Sequence, residues 1–346
     1  VNHILYNCIA VGFESGFLDN KGNLSPIGKI QQSANQWVQK YGNPGTMYTP
    51  VAVMCDFFSG WSFPRHLYTS HVFRVWGNLP YDEGDYLTDG VLSMLYPEYR
   101  DASYFHDETG FISLTPYGDI ADCILSDAPL WLLKQYPVLV IGGKLTGGHE
   151  VKDKLEEYVR AGGHLVITAG NLENLPEGLL GVKAGQKEFP LDKETVVAFG
   201  DNTFTEESGF TIREIISTEK ATILASCPKG SLAMEYAAGS GKMTVFTSAF
   251  GVASGPGSFG ESEIDKSFTT PYPLLKQVER VMDQIFSATE IFTAGEGLSL
   301  ITCSKNKNDY TVAIGNNTWQ EKPFALSSKS GKIVSVEELP LECGER

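Results

Sequence analysis

Residues 136–171 read YPVLVIGGKLTGGHEVKDKLEEYVRAGGHLVITAGN, and this stretch decides the fold. Residues 138–141 are a short apolar run stopped by two glycines, which predicts a strand buried on both faces. Apolar residues at helical spacing over 148–161 predict a helix, and Gly162 is its natural left-handed end residue. A second apolar strand is predicted at 164–168. Two strands joined by one helix run parallel through a right-handed crossover, so the fold class is α/β with a parallel central sheet.

The composition is that of an ordinary globular protein. The chain has 346 residues, 42% of them hydrophobic and 20% charged, which is enough for two or three domains. No apolar run approaches the roughly 20 residues that cross a bilayer, so we expect a soluble protein. A net charge of −15 argues against a nucleic-acid or anionic-membrane partner. The compartment stays unknown, because a removed signal would leave no trace in a chain that begins with Val1.

The cysteines indicate neither a disulfide framework nor a metal site. They are widely scattered, with no C-x-x-C pair and no histidine at zinc spacing. We therefore predict buried, reduced thiols, no metal and no cofactor. The six are Cys8, Cys55, Cys123, Cys227, Cys303 and Cys343.

The chain opens with one strand and one helix. Residues 4–13 predict a strand, and Ser25 followed by Pro26 predicts the start of a helix that ends at 43–45. Nothing before this unit in the sequence covers its apolar face, so an upstream segment or a later domain must do so. That face is predicted from Ile27, Ile30, Ala34, Trp37, Val38 and Tyr41.

Residues 49–58 predict the next buried strand, which joins the sheet of 136–171. The region 57–117 that follows is unusually rich in aromatic residues. Within and after it the patterns predict a helix at 84–96, a short strand at 112–114, and short helices at 119–125 and 128–135.

After residue 171 the pattern changes to short strands, which predict antiparallel hairpins along the edge of the sheet. They are expected at 195–199, 210–215, 222–226, 233–237 and 243–249, followed by a loop at 251–261 and a last helix from Thr270. The remaining strands predict a small β-sandwich-like tail. They are expected at 298–303, 310–314, 324–327 and 333–337.

Two kinds of chemistry that are common in parallel α/β domains lack their required residues in this sequence. Dinucleotide binding requires a glycine-rich turn after the first strand, but Ser59-Gly-Trp-Ser62 follows strand 49–58. Amidotransferase-type chemistry requires a nucleophile on the elbow between strand and helix. The candidate elbow is Thr168-Ala-Gly-Asn171, which carries no such nucleophile.

The order of these parts resembles the C-terminal half of a family-42-type β-galactosidase, a clan A glycoside hydrolase. Residue agreement is centred on TPVAVMCDFFSGW at 49–61 and on the stretch 136–171. The resemblance implies a domain division of 1–45, the last strand-helix unit of a (β/α)8 barrel; 46–289, a glutamine amidotransferase-like domain; and 290–346, a small β domain. It also implies a carbohydrate substrate, a homo-oligomer and an upstream barrel domain as partners.

The resemblance further implies that both catalytic glutamates lie upstream of Val1, since one strand-helix unit cannot supply two carboxyls at the roughly 5 to 5.5 Å that a retaining glycosidase needs. We expect this chain alone to be inactive and its parent polypeptide to be a glycoside hydrolase. Glu14 is a candidate for contact with a substrate hydroxyl, or for the seventh-strand nucleophile, because it follows a strand end. The alternative is a solvated loop carboxylate.

The other candidate sugar-binding residues lie in the aromatic region, because aromatic rings stack on sugars while arginine and histidine donate to hydroxyls. The alternative is that they pack against a barrel or a neighbouring subunit. These residues are Trp61, Arg65, His66 and Trp76.

Two further clusters of polar residues are predicted to have a structural role. Asp82, Glu83, Asp85 and Asp89 match no calcium-loop spacing, and we expect Asp85 to cap the next helix. His106-Asp107-Glu108 predicts an exposed loop rather than a triad.

Three functions remain open. The first is a non-catalytic portion of a glycoside hydrolase that contributes oligomerisation and the rim of the sugar site. The second is a stand-alone interaction or oligomerisation module without enzymatic activity. The third is a ligand-binding α/β domain that uses the strand ends near Asp56 and Gly142.

Overall fold

The computed structural model describes residues 16–57, 82–96, 117, 119–146, 148–254, 272–295, 298–306, 309–316, 320–329 and 331–336. They fall into two compact units. The larger contains the described residues of 49–113 and 121–289, and the smaller contains those of 1–48, 114–120 and 290–346. The fold is mixed α/β, with one large mixed sheet and small antiparallel sheets.

Six helices and sixteen strands are described. The helices are α1 (Pro26–Tyr41), α2 (Glu83–Leu95), α3 (Leu130–Leu133), α4 (His149–Arg160), α5 (Ala169–Glu173) and α6 (Lys276–Ser287). The strands are β1 (Thr46–Met47), β2 (Val51–Cys55), β3 (Ala121–Leu125), β4 (Val138–Ile141), β5 (His164–Thr168), β6 (Val182–Leu191), β7 (Val196–Phe199), β8 (Asn202–Thr205), β9 (Phe210–Ser217), β10 (Ala221–Cys227), β11 (Gly230–Ala238), β12 (Gly241–Phe246), β13 (Phe292–Thr293), β14 (Ser299–Asn306), β15 (Asp309–Gly315) and β16 (Ser327–Ser328).

The larger unit is built on a nine-stranded sheet in the order β3-β2-β4-β5-β12-β11-β10-β7-β8. The five strands from β3 to β12 are parallel, and the pairs from β12 to β8 are antiparallel. The predicted parallel pairing of β4 with β5 through a helix is confirmed. Antiparallel strands are confirmed after residue 171, but β7, β10, β11 and β12 continue the sheet itself, which makes it mixed rather than parallel throughout. β9 pairs instead with β6 in a separate two-stranded sheet.

Helix α4 follows the predicted pattern closely. It spans His149–Arg160 with Leu155, Tyr158 and Val159 buried, and Gly162 beyond it has φ +116°. A side chain at Gly163 would meet the Tyr158 ring, since an added Cβ would lie 2.3 Å from it. The predicted left-handed end is therefore confirmed, and a second glycine is needed where the chain turns into β5.

Helix α2 is confirmed, with Leu87, Val91, Leu92 and Leu95 buried as predicted, but its cap was wrongly assigned. Asp82 is the N-cap, and its Oδ1 accepts from the backbone N of Gly84 at 2.9 Å. The Asp85 carboxylate accepts from the Asp82 backbone N at 2.8 Å. The two residues thus form a capping box, in which Asp85 is the third helical residue rather than the cap.

Helix α6 is capped by a side chain distant in sequence. Its described start is Lys276, and the backbone N atoms of Lys276 and Gln277 donate to the buried Glu206 carboxylate at 3.1 and 2.8 Å. Burial raises the pKa of Glu206. Gln277 is 1% exposed, and its side-chain amide finds no hydrogen-bond partner among the described residues. The helix start therefore depends on the turn after β8.

The smaller unit holds α1 and two of the short antiparallel sheets. The Ser25 hydroxyl accepts from the Gly28 backbone N at 3.1 Å, which confirms the predicted cap, and the helix ends at Tyr41 because Gly42 turns at φ +78°. Trp37 is buried, whereas Val38 of the predicted apolar face is 39% exposed. The tail strands form the sheets β1-β14-β15 and β13-β16.

Several sequence predictions were wrong. Residues 121–125 were expected in a helix but form β3, because their backbone pairs in register with β2 from Val51 to Cys55. Strands β6 and β8 were not predicted. The described residues 331–336 contain no strand, although one was predicted at 333–337. The predicted strands at 4–13 and 112–114 lie outside the described residues.

The fold also bears on membrane insertion. Among the described residues, no helix combines the length and apolar character required to cross a membrane.

His164 gives the stability of the larger unit a pH dependence. Its Nε2 lies 2.8 Å from Thr244 Oγ1 between β5 and β12, and burial lowers its pKa from 6.5 to about 4. Between pH 6.5 and about pH 4, His164 binds a proton in the unfolded chain but not in the folded chain. The free energy of unfolding therefore falls as the pH falls through this range. We expect a loss of up to about 3 kcal/mol relative to His164→Gln. Chemical denaturation from pH 7 to pH 4 measures it.

The matched control for this measurement is His149→Gln, because the His149 side chain is 81% exposed. Its unfolding curve should follow the wild type at every pH. Equal pH slopes for the wild type and His164→Gln would contradict the role assigned to His164.

Candidate functional site

The residues predicted to contact sugar lie outside the described parts of the chain. They are Glu14, Trp61, Arg65, His66 and Trp76, and the segment 106–108 is outside as well. Their predicted roles remain predictions. The described residues at the carboxyl ends of the parallel strands form the other candidate site, because open α/β sheets bind ligands in the crevice where the strand order reverses.

Asp56 follows β2, and its carboxylate makes hydrogen bonds to the loops at this edge of the sheet. It is 3% exposed, and its Oδ2 accepts from Thr146 Oγ1 at 2.7 Å. Its Oδ1 accepts from Ser126 Oγ at 3.2 Å, and that hydroxyl in turn accepts from the Phe57 backbone N at 3.0 Å. The carboxylate therefore connects the loops that follow β2, β3 and β4.

Asn171 holds the same edge one strand further along. It is fully buried, and its Oδ1 accepts from the Leu145 backbone N at 2.7 Å. Its Nδ2 donates to Gly143 O at 2.8 Å and to Thr168 Oγ1 at 3.2 Å. Helix α5 starts directly after β5, so Thr168 to Asn171 is a strand-helix elbow, a position where some α/β enzymes carry a nucleophile. Here the elbow supplies structural hydrogen bonds.

The elbow also leaves no room for a larger residue at its centre. The Gly170 backbone N donates to Ala249 O at 2.6 Å, and a Cβ added at Gly170 would lie 2.5 Å from that oxygen. The same Cβ would lie 2.8 Å from the Phe250 ring. The chain that follows β12 thus closes over the elbow.

Helix α2 closes the crevice between β2 and β4. The Thr88 hydroxyl donates to Gly142 O, and a Cβ at Gly84 would lie 2.8 Å from Lys144 Cβ. A Cβ at Gly142 would lie 2.4 Å from Val53 Cγ1. Glycine is therefore required at position 84, which lies against Lys144, and at position 142, which lies against Val53. Asp56 and Gly142, named as part of a possible ligand site, both make hydrogen bonds to other groups of the protein.

A charged group, here called the Arg213 cluster, lies beside this edge. It consists of Asp82, Glu83, Lys144, Glu173, Glu188 and Arg213. Arg213 binds Glu173 at 2.6 Å and Glu188 at 2.7 Å, and Lys144 binds Asp82 at 3.1 Å. Burial raises the pKa of Glu83, and the neighbouring Asp82 charge adds to the effect. Four carboxylates and two cations make up the cluster, so it has an excess of negative charge.

The cysteines differ from the prediction in burial. None of the four described ones is in a disulfide, but only Cys303 is buried, and Cys123 on the terminal strand β3 is exposed. Burial raises the pKa of the Cys55 thiol to about 11, with the nearby Cys123 contributing. Because the thiolate is the nucleophilic form, Cys55 is protonated and unreactive at neutral pH.

Sequence reasoning missed most of this edge. Asp56 was named from the sequence only as part of a possible ligand site at the strand ends, and its hydrogen bonds to Ser126 and Thr146 were not predicted. Ser126 and Thr146 gave no signal, because single hydroxyl residues in loops are common. Among the described residues no group of three or more histidine, cysteine or acidic side chains is arranged to hold a metal ion.

Asn171 provides a direct test of the edge network. Asn171→Ala leaves Leu145 N and Gly143 O buried without their partner, and each such group costs about 1 to 3 kcal/mol. We expect the free energy of unfolding to fall by about 3 kcal/mol in urea denaturation.

Asn202→Ala is the matched control, because Asn202 is exposed on β8, and its effect should stay within about 0.5 kcal/mol. A loss for Asn171→Ala no larger than that of the control would show that the network is not needed for stability.

Comparison with known proteins gives structural neighbours only. No family model and no curated protein sequence matches the chain. A catalytic mutant of Gan42B, a family-42 β-galactosidase from G. stearothermophilus, is 11% identical, with a TM-score of 0.42, 84% of this chain and 38% of that chain covered. The β-galactosidase from Bacillus circulans sp. alkalophilus is 13% identical, with a TM-score of 0.44 and coverages of 86% and 41%.

A β-galactosidase from Rahnella sp. R3 is 13% identical, with a TM-score of 0.46 and coverages of 89% and 43%. The chain thus spans about two fifths of the length of these galactosidases. With identities this low and TM-scores below 0.5, the likeness concerns fold alone and carries no argument about activity.

Proposed function

We propose that this chain is a non-catalytic portion of a glycoside hydrolase that acts on β-galactoside-like carbohydrate. In this proposal residues 1–45 are the last unit of a (β/α)8 barrel, 46–289 an amidotransferase-like domain and 290–346 a β domain. The bond-breaking glutamates belong to an upstream barrel domain. The support is the resemblance in sequence pattern at 49–61 and 136–171, together with the parallel sheet that these residues form.

One observation carries the non-catalytic part of the proposal. The β5–α5 elbow carries Asn171, whose side chain makes hydrogen bonds to the loop after β4 and to Thr168. An amidotransferase would place its nucleophile on this elbow, with its side chain exposed to substrate. A buried amide with three polar partners cannot attack a substrate. The domain is therefore proposed to serve as scaffold, with Glu14, Trp61, Arg65, His66 and Trp76 at the rim of the sugar site.

A hydrolysis assay tests this proposal. The purified 346-residue chain should not release nitrophenol from a chromogenic β-galactoside above the rate of a heat-inactivated sample. Turnover of about 1 s⁻¹ or more, which is ordinary for an enzyme, would contradict it. The matched variant is Glu14→Gln. Turnover that disappears in this variant would identify Glu14 as a nucleophile and place catalysis within the chain.

The proposal includes a homo-oligomer formed through the β3 edge of the sheet. β3 is the terminal strand in the order of the described strands, and terminal strands pair readily with a second copy of themselves. Large apolar side chains at this edge are exposed: Phe57 by 50%, Leu125 by 46% and Trp131 by 66%. Exposed aromatic residues beside a terminal strand of the described sheet favour association with another protein surface. A second copy of this chain is the proposed occupant.

Trp131→Ala tests the oligomer. If Trp131 is a central contact, its truncation costs about 2 kcal/mol or more, which raises the dissociation constant roughly 30-fold. Sedimentation velocity across a concentration series measures the change. Phe324→Ala is the control, because Phe324 is an equally exposed aromatic residue of the smaller unit, at 65%. A monomeric wild type, or equal behaviour of both variants, would exclude assembly through this edge.

A further inference from the structure

The smaller unit contains a cavity that the proposed function does not use. It measures about 300 Å³ and lies between the β13–β16 ribbon and the start of β14. Ligand sites begin at about this size and combine an apolar lining with a few polar groups. The lining residues are Glu290, Thr293, Ala294, Gly295, Leu298, Leu300, Ala325 and Ser327.

The polar side of the cavity is a carboxylate with its own counter-ion. The Glu290 side chain is 8% exposed and pairs with Lys329, whose side chain is 43% exposed. The Glu290 carboxylate is a strong hydrogen-bond acceptor. Because Lys329 neutralises its charge, the ion pair does not attract a simple cation or anion by net charge. A ligand that donates hydrogen bonds and carries no charge suits such a site.

Two hydroxyls form the second polar feature. Thr293 Oγ1 and Ser327 Oγ lie 2.9 Å apart across the paired strands β13 and β16. Each hydroxyl has one proton to donate and two lone pairs, so the pair retains hydrogen-bonding capacity for a ligand. The strands fix their spacing, because Thr293 and Ser327 are directly opposed in register.

The apolar side is small and aliphatic. Leu298 and Leu300 line it, with Ala294 and Ala325 adding only methyl groups. A sugar ring presents hydroxyls at its edge and C–H groups on its face, and so matches a cavity with hydroxyls and a carboxylate on one side and leucines on the other.

We propose that this cavity binds a small neutral sugar of monosaccharide size, separately from the rim of the catalytic site. The choice of sugar as ligand rests on the proposed relation to glycoside hydrolases, whereas the location rests on the cavity itself. The proposed role is that of a secondary carbohydrate site in the C-terminal β domain. Glu290, Thr293 and Ser327 would be its polar contacts.

Calorimetric titration of the full chain with methyl β-galactoside, supported by ligand-observed NMR, tests the proposal. We expect weak binding, with a Kd of about 1 mM, because the site is small and open. Thr293→Val removes one neutral hydrogen bond while keeping the shape of the side chain, and should weaken binding by about 3- to 10-fold. Ala325→Leu should abolish binding at the cavity, because the added atoms occupy it.

Thr311→Val is the matched control, since Thr311 lies on β15 of the same unit and does not line the cavity. It should bind like the wild type. Trp61→Ala separates this cavity from the proposed rim of the catalytic site, because it removes a proposed rim contact and leaves the cavity residues unchanged. Binding that survives in this variant belongs to the cavity. Loss in Trp61→Ala with retention in Thr293→Val would overturn the proposal.

Two further outcomes would also overturn it. One is the absence of binding by the wild type, and the other is tighter binding of galactosamine or galacturonate than of the neutral sugar. Thermal unfolding of each variant confirms that a lost signal is not a loss of fold. The hydrolysis assay is independent of these titrations, so failure of this site and failure of the proposed function are distinguishable.

Discussion

The larger unit depends on hydrogen bonds made by two buried side chains at the carboxyl ends of its parallel strands. Asp56 connects the loops after β2, β3 and β4, and Asn171 connects the loop after β4 to the elbow after β5. Loops at this edge expose backbone groups that neither strand nor helix satisfies. Several of these groups are satisfied here by the Asp56 and Asn171 side chains. The edge is consequently a fixed part of the scaffold.

The elements that could be predicted from sequence are those whose pattern and packing agree. The stretch 138–168 was correct in strand, helix and parallel pairing, because its apolar runs, its amphipathic helix and its glycines all favour one structure. Helix α2 was correct in its buried face but not in its cap, since Asp82 and Asp85 are chemically equivalent candidates and only geometry separates them.

The errors arose where tertiary pairing overrides local pattern. Residues 121–125 form a strand because their backbone pairs with β2. The local sequence ADCIL contains no feature that predicts this pairing. The edge network was missed for a related reason. Its members are spread from Asp56 to Asn171, and only the sheet topology brings them together. The residues predicted to touch sugar cannot enter this comparison, because they lie outside the described chain.

The position of β12 has a consequence for the order of folding. It pairs in parallel with β5, and His164 and Thr244 across this junction are 80 positions apart in the chain. The intervening residues form β6 to β11, whose hairpins close over short distances. Closing a long loop costs more chain entropy than closing a short one, so the hairpins are favoured to form first. We therefore expect the junction between β5 and β12 to form after the hairpins and to join the antiparallel half of the sheet to the parallel half.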